Sequence, residues 1–197
     1  MDRKELRALL KAGEKRLLEK KWEDALQSAD NVLAAEPANT RALLLRGNAL
    51  GGLARYDAAF VIVDEILAID PGNLDFWDLK FRCLRSQRRR QEWFDATLAA
   101  LEANPGNVSL IVHHGYAFLG LKKPQEALEV SEKALKIDRR SSGAWSLRGH
   151  ALRLLGKKQE AEHASGMAMK LSRRRPLVIS VLKKARRLFS GPPEYSR

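Results

Sequence analysis

A chain of 197 residues with a formal charge of +12 and a single cysteine, Cys83, holds no internal disulfide framework and no acidic-protein character. No segment approaches the roughly 18 consecutive apolar residues that would read as a membrane-spanning helix. The start, Met1-Asp2-Arg3-Lys4-Glu5, is charged and lacks the apolar run of a signal peptide, so a reducing, cytoplasmic setting is expected.

Periodic apolar and small residues predict helices in pairs, at 5–19 and 22–35, 40–53 and 56–69, 74–88 and 91–103, 108–121 and 124–137, 142–155 and 158–171, then one more at 176–189. The pairs are punctuated by Pro37-Ala38-Asn39, Pro71-Gly72-Asn73 and Pro105-Gly106-Asn107, which stand 34 residues apart. Each proline stops a second helix, and each Asn can cap the next first helix, with Ser141 in that role where proline is missing. Gly13, Gly47, Gly115 and Gly149 keep the same period, as do Ala25, Ala59, Ala127 and Ala161. Small residues on both helices of a pair predict close backbone approach within each unit. The expected fold class is all-α, built from stacked helix–turn–helix units that bury their apolar faces against one another.

These residues resemble the tetratricopeptide repeat, whose 34-residue unit carries this pattern of Trp, Gly, Tyr, Ala and Pro. The resemblance covers about residues 6–173 as five repeats, with Trp22 and Tyr56 at the turn aromatic and Trp145, Gly149, Leu152, Ala161 and Ala168 marking the fifth. It implies a right-handed α-solenoid over 6–173, a C-terminal capping helix over 176–189 and a basic tail over 190–197. It also implies that first helices line a concave groove where a protein or peptide partner docks. On that face it puts Arg7, Glu14, Arg41, Asn48, Asp75, Asp78, Arg82, Arg85, Ser109, Tyr116, His150 and Arg153. The Lys and Asn with which members of the family grip a peptide's terminal carboxylates are mostly replaced here, by Leu10, Leu44 and Leu79, and only Asn48 matches. The implied function is a scaffold or adaptor that binds an acidic protein or peptide, with Arg41, Asn48, Arg82, Arg85, Tyr116, His150 and Arg153 as contact residues.

Other features stand beside the groove. Ten basic residues sit in the turns inside the repeats, from Lys20-Lys21 through Arg55, Arg88-Arg89-Arg90 and Lys122-Lys123 to Lys157-Lys158, against six acids that follow them at once. From Ser172 onward the chain carries +7 of the total +12, with Arg173, Arg174, Arg175, Lys183, Lys184, Arg186 and Arg187 forming a basic patch. These two features leave open a nucleic-acid or ribonucleoprotein binder, and self-assembly into a homo-oligomer is a third reading. The third repeat departs from the pattern by placing Phe81 and Trp93 where the others have Gly and Ala. Two rings there predict a wider helix pair or a turn displaced toward Trp93, with Trp77, Trp93 and Phe94 as interface aromatics. No catalytic constellation is visible: His113, His114, His150 and His163 lack metal-site spacing, Cys83 falls at a packing position, and there is no glycine-rich phosphate loop. Neither an enzyme nor a cofactor is expected.

Overall fold

The computed structural model describes residues 1–173; the predicted helix over 176–189 and the tail lie outside the described residues. Among the described residues there are ten helices and no strand: α1 (Arg3–Leu18), α2 (Trp22–Ala35), α3 (Thr40–Gly52), α4 (Tyr56–Ile69), α5 (Leu74–Ser86), α6 (Arg90–Ala103), α7 (Val108–Gly120), α8 (Pro124–Ile137), α9 (Ser142–Leu154) and α10 (Lys158–Arg173). Every boundary falls within two residues of the predicted one. The chain is an all-α helical-repeat solenoid.

The turns explain that regularity. Inside each repeat one residue adopts left-handed backbone: Lys20 (φ 58°), Ala54 (58°), Arg88 (57°), Lys122 (61°) and Gly156 (77°), all on the 34-residue register. The next residue then donates its N–H to a carbonyl five residues back, as in Lys21 to Arg16, Arg55 to Leu50, Arg89 to Leu84, Lys123 to Phe118 and Lys157 to Leu152, each 2.9 Å. This is the Schellman closure, which satisfies carbonyls otherwise orphaned at a helix end. Only the fifth repeat uses glycine there. Between repeats, Asn39, Asn107 and Ser141 cap α3, α7 and α9 by accepting backbone N–H groups of Ala42, Leu110 and Ala144 at 3.0, 3.2 and 3.2 Å. Asn73 departs from expectation: its amide donates to the Asp70 carboxylate at 3.0 Å, and no side-chain bond caps α5. The indoles of Trp77 and Trp145 instead pin the preceding turns, donating to the carbonyls of Pro71 (2.8 Å) and Arg139 (3.0 Å).

The described residues divide into two compact units, 1–68 and 69–173. In the first, α2 packs against both α1 and α3, and Leu6, Leu10, Ala25, Ala29, Val32 and Leu45 form a core. In the second, α6 and α8 each pack against the first helices on either side, and α10 packs on α9. Its core includes Leu119, Ala127, Ala134, Leu147, Ala151 and Leu152.

Small residues do two jobs. At Gly149 the expected close approach is present, since a Cβ there would meet the Ala161 carbonyl and the Ser165 N–H group at 3.4 Å. At Gly13 and Gly115 the vacated space holds a leucine from the next repeat's first helix, Leu45 (2.5 Å from a built Cβ) and Leu147 respectively. Trp22 lies in the same way on Gly52 at the end of α3.

In the third repeat the turn keeps its register, while α5 and α6 approach each other less closely than α9 and α10 do, as the wider-pair expectation requires. Helix α6 begins at Arg90, in phase with α2, α4, α8 and α10, so the displaced turn expected near Trp93 is corrected. Phe81 and Trp93 are 1% and 2% exposed and belong to the core. Phe81 fills the glycine space itself, and the residue that should supply the incoming leucine is His113, on the register of Leu45, Leu79 and Leu147. The two rings meet at 5.2 Å, so Gly–Leu has become Phe–His. Trp93 lies over Gly120, whose built Cβ would come within 3.3 Å of the indole.

Candidate functional site

The first helices present one residue per turn on a shared face, because positions i, i+3, i+4 and i+7 align. In the first unit the arginine at the middle of that face is already paired. Arg41 donates to both oxygens of Glu14, from α3 to α1, at 2.6 and 2.8 Å. The carboxylate holds the guanidinium pKa above its usual value. Asn48 donates to the Leu44 carbonyl of its own helix at 2.8 Å.

In the second unit the same face is differently furnished. Tyr116 of α7 donates its hydroxyl to Ser146 Oγ of α9 at 3.0 Å, and the phenol oxygen lies 3.3 Å from His150 Nδ1. The rings of Tyr116 and His150 are 5.8 Å apart. Arg153, one turn beyond His150, is exposed and close enough to act on the imidazole. Burial, seconded by the Arg153 charge, pushes the His150 pKa down, so the ring rests neutral. Ser146, His150 and Arg153 form one stripe on α9, completed by Tyr116 from the neighbouring first helix. Ser146 was not among the sequence-predicted contacts. Its signal is a hydroxyl on the register of Leu10, Leu44 and Val112.

Among the remaining predicted groove residues, Arg82 pairs with Asp78 one turn before it at 3.2 Å, and Arg85 lies 5.3 Å over the Trp93 ring. Both arginines are partly buried and engaged within their own repeat. His113 is half-buried against Phe81, and burial pushes its pKa down, with Asp78 opposing and Arg85 assisting. His114 is lowered by burial and by Lys133; its Nδ1 lies 2.9 Å from the Thr97 hydroxyl. Burial pushes the Cys83 thiol up, which leaves it a poor nucleophile.

The expected interface aromatics are mostly structural. Trp77 and Trp93 are buried, and Trp77 lies 6.0 Å from Phe81 in a stack, so neither presents an exposed patch. The buried indole N–H of Trp93 meets no acceptor among the described residues. Phe94 is partly exposed and closes a triangle with His114 and Phe118, with ring centres 4.8 to 4.9 Å apart. Along the turns, Lys21 pairs with Glu19 at 2.9 Å, Arg89 with Glu92 at 2.7 Å and Lys157 with Glu160 at 3.9 Å. The basic patch at Arg174, Arg175, Lys183, Lys184, Arg186 and Arg187 lies outside the described residues, as does the side chain of Arg173. Among the described residues no cluster of three metal-ligating side chains exists, and no helix is long and apolar enough to cross a membrane.

Two tetratricopeptide-repeat profiles match the sequence, over residues 16–83 and 108–141, and together span just over half of it. The chain belongs to the tetratricopeptide-repeat family. Solved structures share the fold. TTC0263, a thermophilic TPR protein of Thermus thermophilus, superposes with a TM-score of 0.69 at 14% identity, covering 93% of this chain and 98% of its own. MamA of Desulfovibrio magneticus RS-1 superposes with a TM-score of 0.64 at 19% identity, covering 89% and 98%. No curated protein matches in sequence. Tetratricopeptide-repeat proteins are generally non-enzymatic, and this one is a protein–protein interaction scaffold.

Proposed function

We propose that the scaffold binds an acidic segment of a protein partner along the first-helix face of its second unit. The observation that carries this reading is Arg153. It is exposed, it meets no carboxylate among the described residues, and it stands beside the Tyr116–Ser146–His150 cluster. Arg41 of the first unit is already held by Glu14 and would have to surrender that bidentate pair to take a ligand. A rigid array of donors on helices recognises a flexible peptide at low ordering cost on its own side. The work is binding and presentation without chemistry, and the buried, partnerless Cys83 fits a reducing, cytoplasmic setting.

An array of unrelated dodecapeptides, probed with the wild-type protein and with Arg153→Glu, tests this reading. The wild type is expected to select spots rich in Asp and Glu, and the charge reversal to lose them while retaining its helical circular dichroism. Selection of basic or purely apolar spots would refute the acidic partner. Preferential retention of a single-stranded oligonucleotide, with affinity falling steeply as salt rises, would favour nucleic acid instead.

A further inference from the structure

We propose that Tyr116, Ser146, His150 and Arg153 form a subsite for one carboxylate of the acidic partner, and that His150 takes up a proton from solvent as the subsite fills. This rests on the acidic-peptide reading and adds the ligand group, the residues that hold it and the coupling to pH.

The geometry is that of an oxyanion cradle. Ser146, His150 and Arg153 are spaced i, i+4 and i+7 on α9, which puts them on one face over about 10 Å of helix. Tyr116 reaches from α7 to touch two of them, at 3.0 Å to Ser146 Oγ and 3.3 Å to His150 Nδ1. Because Ser146 accepts the tyrosine proton, its own hydroxyl hydrogen is left to donate, and it has no acceptor among the described residues. With the tyrosine proton given to Ser146, Nδ1 of the neutral His150 ring donates to the phenol oxygen, so Nε2 is a bare acceptor that becomes a donor only when the ring is protonated. Neither Nε2 nor the Arg153 guanidinium has a partner among the described residues. Two unused donors, Ser146 and Arg153, and a third created when His150 takes up its proton, match the acceptor-only chemistry of a carboxylate, and the arginine supplies a charge-assisted bond.

The proton coupling follows from which charges surround the imidazole. Arg153 on α9 and Tyr116 on α7 face it. On α8, Glu132 pairs with Arg148 at 3.9 Å, and on α10, His163 lies edge-on to Trp145 at 6.0 Å. Burial and the Arg153 charge are the influences that act on the imidazole, and both oppose its protonation in the empty site. A carboxylate entering beside Arg153 reverses the local field and favours the charged ring. The incoming charge of −1 and the proton gained cancel, so the filled subsite keeps the net charge of the empty one.

The test uses the full chain and a hexa-aspartate peptide, acetylated and amidated, whose side chains stay ionised over the range examined. Affinity is expected to tighten about fivefold between about pH 7.5 and about pH 5.5, and the His150 ring signals in NMR should titrate at higher pH with peptide bound. His150→Gln should bind with a flat pH profile, and Arg153→Ala should weaken binding at every pH. An acetylated hexaserine with a free C-terminus serves as the second arm: pH-dependent binding there would assign the subsite to a terminal carboxylate, and binding by hexa-aspartate alone to a side chain. Binding of hexa-aspartate that is independent of pH, or equally pH-dependent in His150→Gln, overturns the proton coupling and leaves the acidic-peptide reading standing. Failure of both peptides to bind at any pH overturns both.

Discussion

The exchange of Gly–Leu for Phe–His between the third and fourth repeats makes a quantitative prediction. Phe81 is 1% exposed, so Phe81→Gly removes a whole buried ring. Truncating a core Phe to Ala costs about 3–5 kcal/mol, and glycine in a helix interior about 1 kcal/mol more than alanine, giving a loss of about 4–6 kcal/mol. His113→Leu alone exchanges a ring contact for a branched apolar side chain of similar bulk and should change stability by about 1 kcal/mol or less in either direction. The double variant rebuilds the contact seen at Gly13–Leu45 and Gly115–Leu147, so leucine should re-enter the cleared space. The two changes should then be coupled, with the double variant about 2 kcal/mol more stable than the sum of the singles requires. Urea unfolding of the full chain, followed by far-ultraviolet circular dichroism, measures all four corners of the cycle. Additivity within about 0.5 kcal/mol would mean that Phe81 and His113 are independent, and the compensated exchange would be wrong.

Two further predictions concern stability. Glycine at Lys20, Ala54, Arg88 or Lys122 should raise it by about 0.5–1 kcal/mol at each site, because the left-handed conformation costs other residues about 1–2 kcal/mol and glycine's extra chain entropy returns only part of that. Gly156→Ala should lower it by about 1 kcal/mol, and the reverse order in thermal melting would contradict the turn assignment. The folded pKa values of His113, His114 and His150 are all depressed, so their contribution is fully present above the unfolded value near 6.5 and is lost as pH falls through the folded values. Melting temperature should therefore decline as acidity increases below about pH 6.5, less so in His114→Gln, and a melting temperature that is flat or rising there would refute the neutral rings.

The helices were legible because a 34-residue period repeats its own evidence. Proline, asparagine and the small-residue series mark the same places several times over, and local signals that agree leave little choice of register. The left-handed turn residues were not legible, since Lys20, Arg88 and Lys122 look like solvated charge and nothing in their chemistry announces φ > 0. The third repeat was legible in part. Phe81 and Trp93 do go with a less closely approached helix pair, but the displaced turn did not follow, because Gly13 and Gly115 open toward a leucine of the next repeat as well as letting helices approach, as Gly149 does at Ala161. On that geometry a ring at 81 needs a changed residue at 113, and the sequence does carry one. Tyr116 and His150 were legible because they share one register position. Ser146 became visible only once α7 and α9 were seen to touch, and the self-neutralised state of Arg41 depended on Glu14 lying 27 residues earlier, off the repeat period.

Ligand binding is assigned to the first-helix face of the second unit. Backbone amide shifts of the full chain, recorded as acetylated and amidated hexa-aspartate is added, test it most directly. Perturbations are expected to concentrate on α7 and α9, around Tyr116, Ser146, His150 and Arg153, with the turn residues Lys122, Lys123, Lys157 and Lys158 unmoved. Perturbations confined to those basic turns, with α7 and α9 silent, would contradict it.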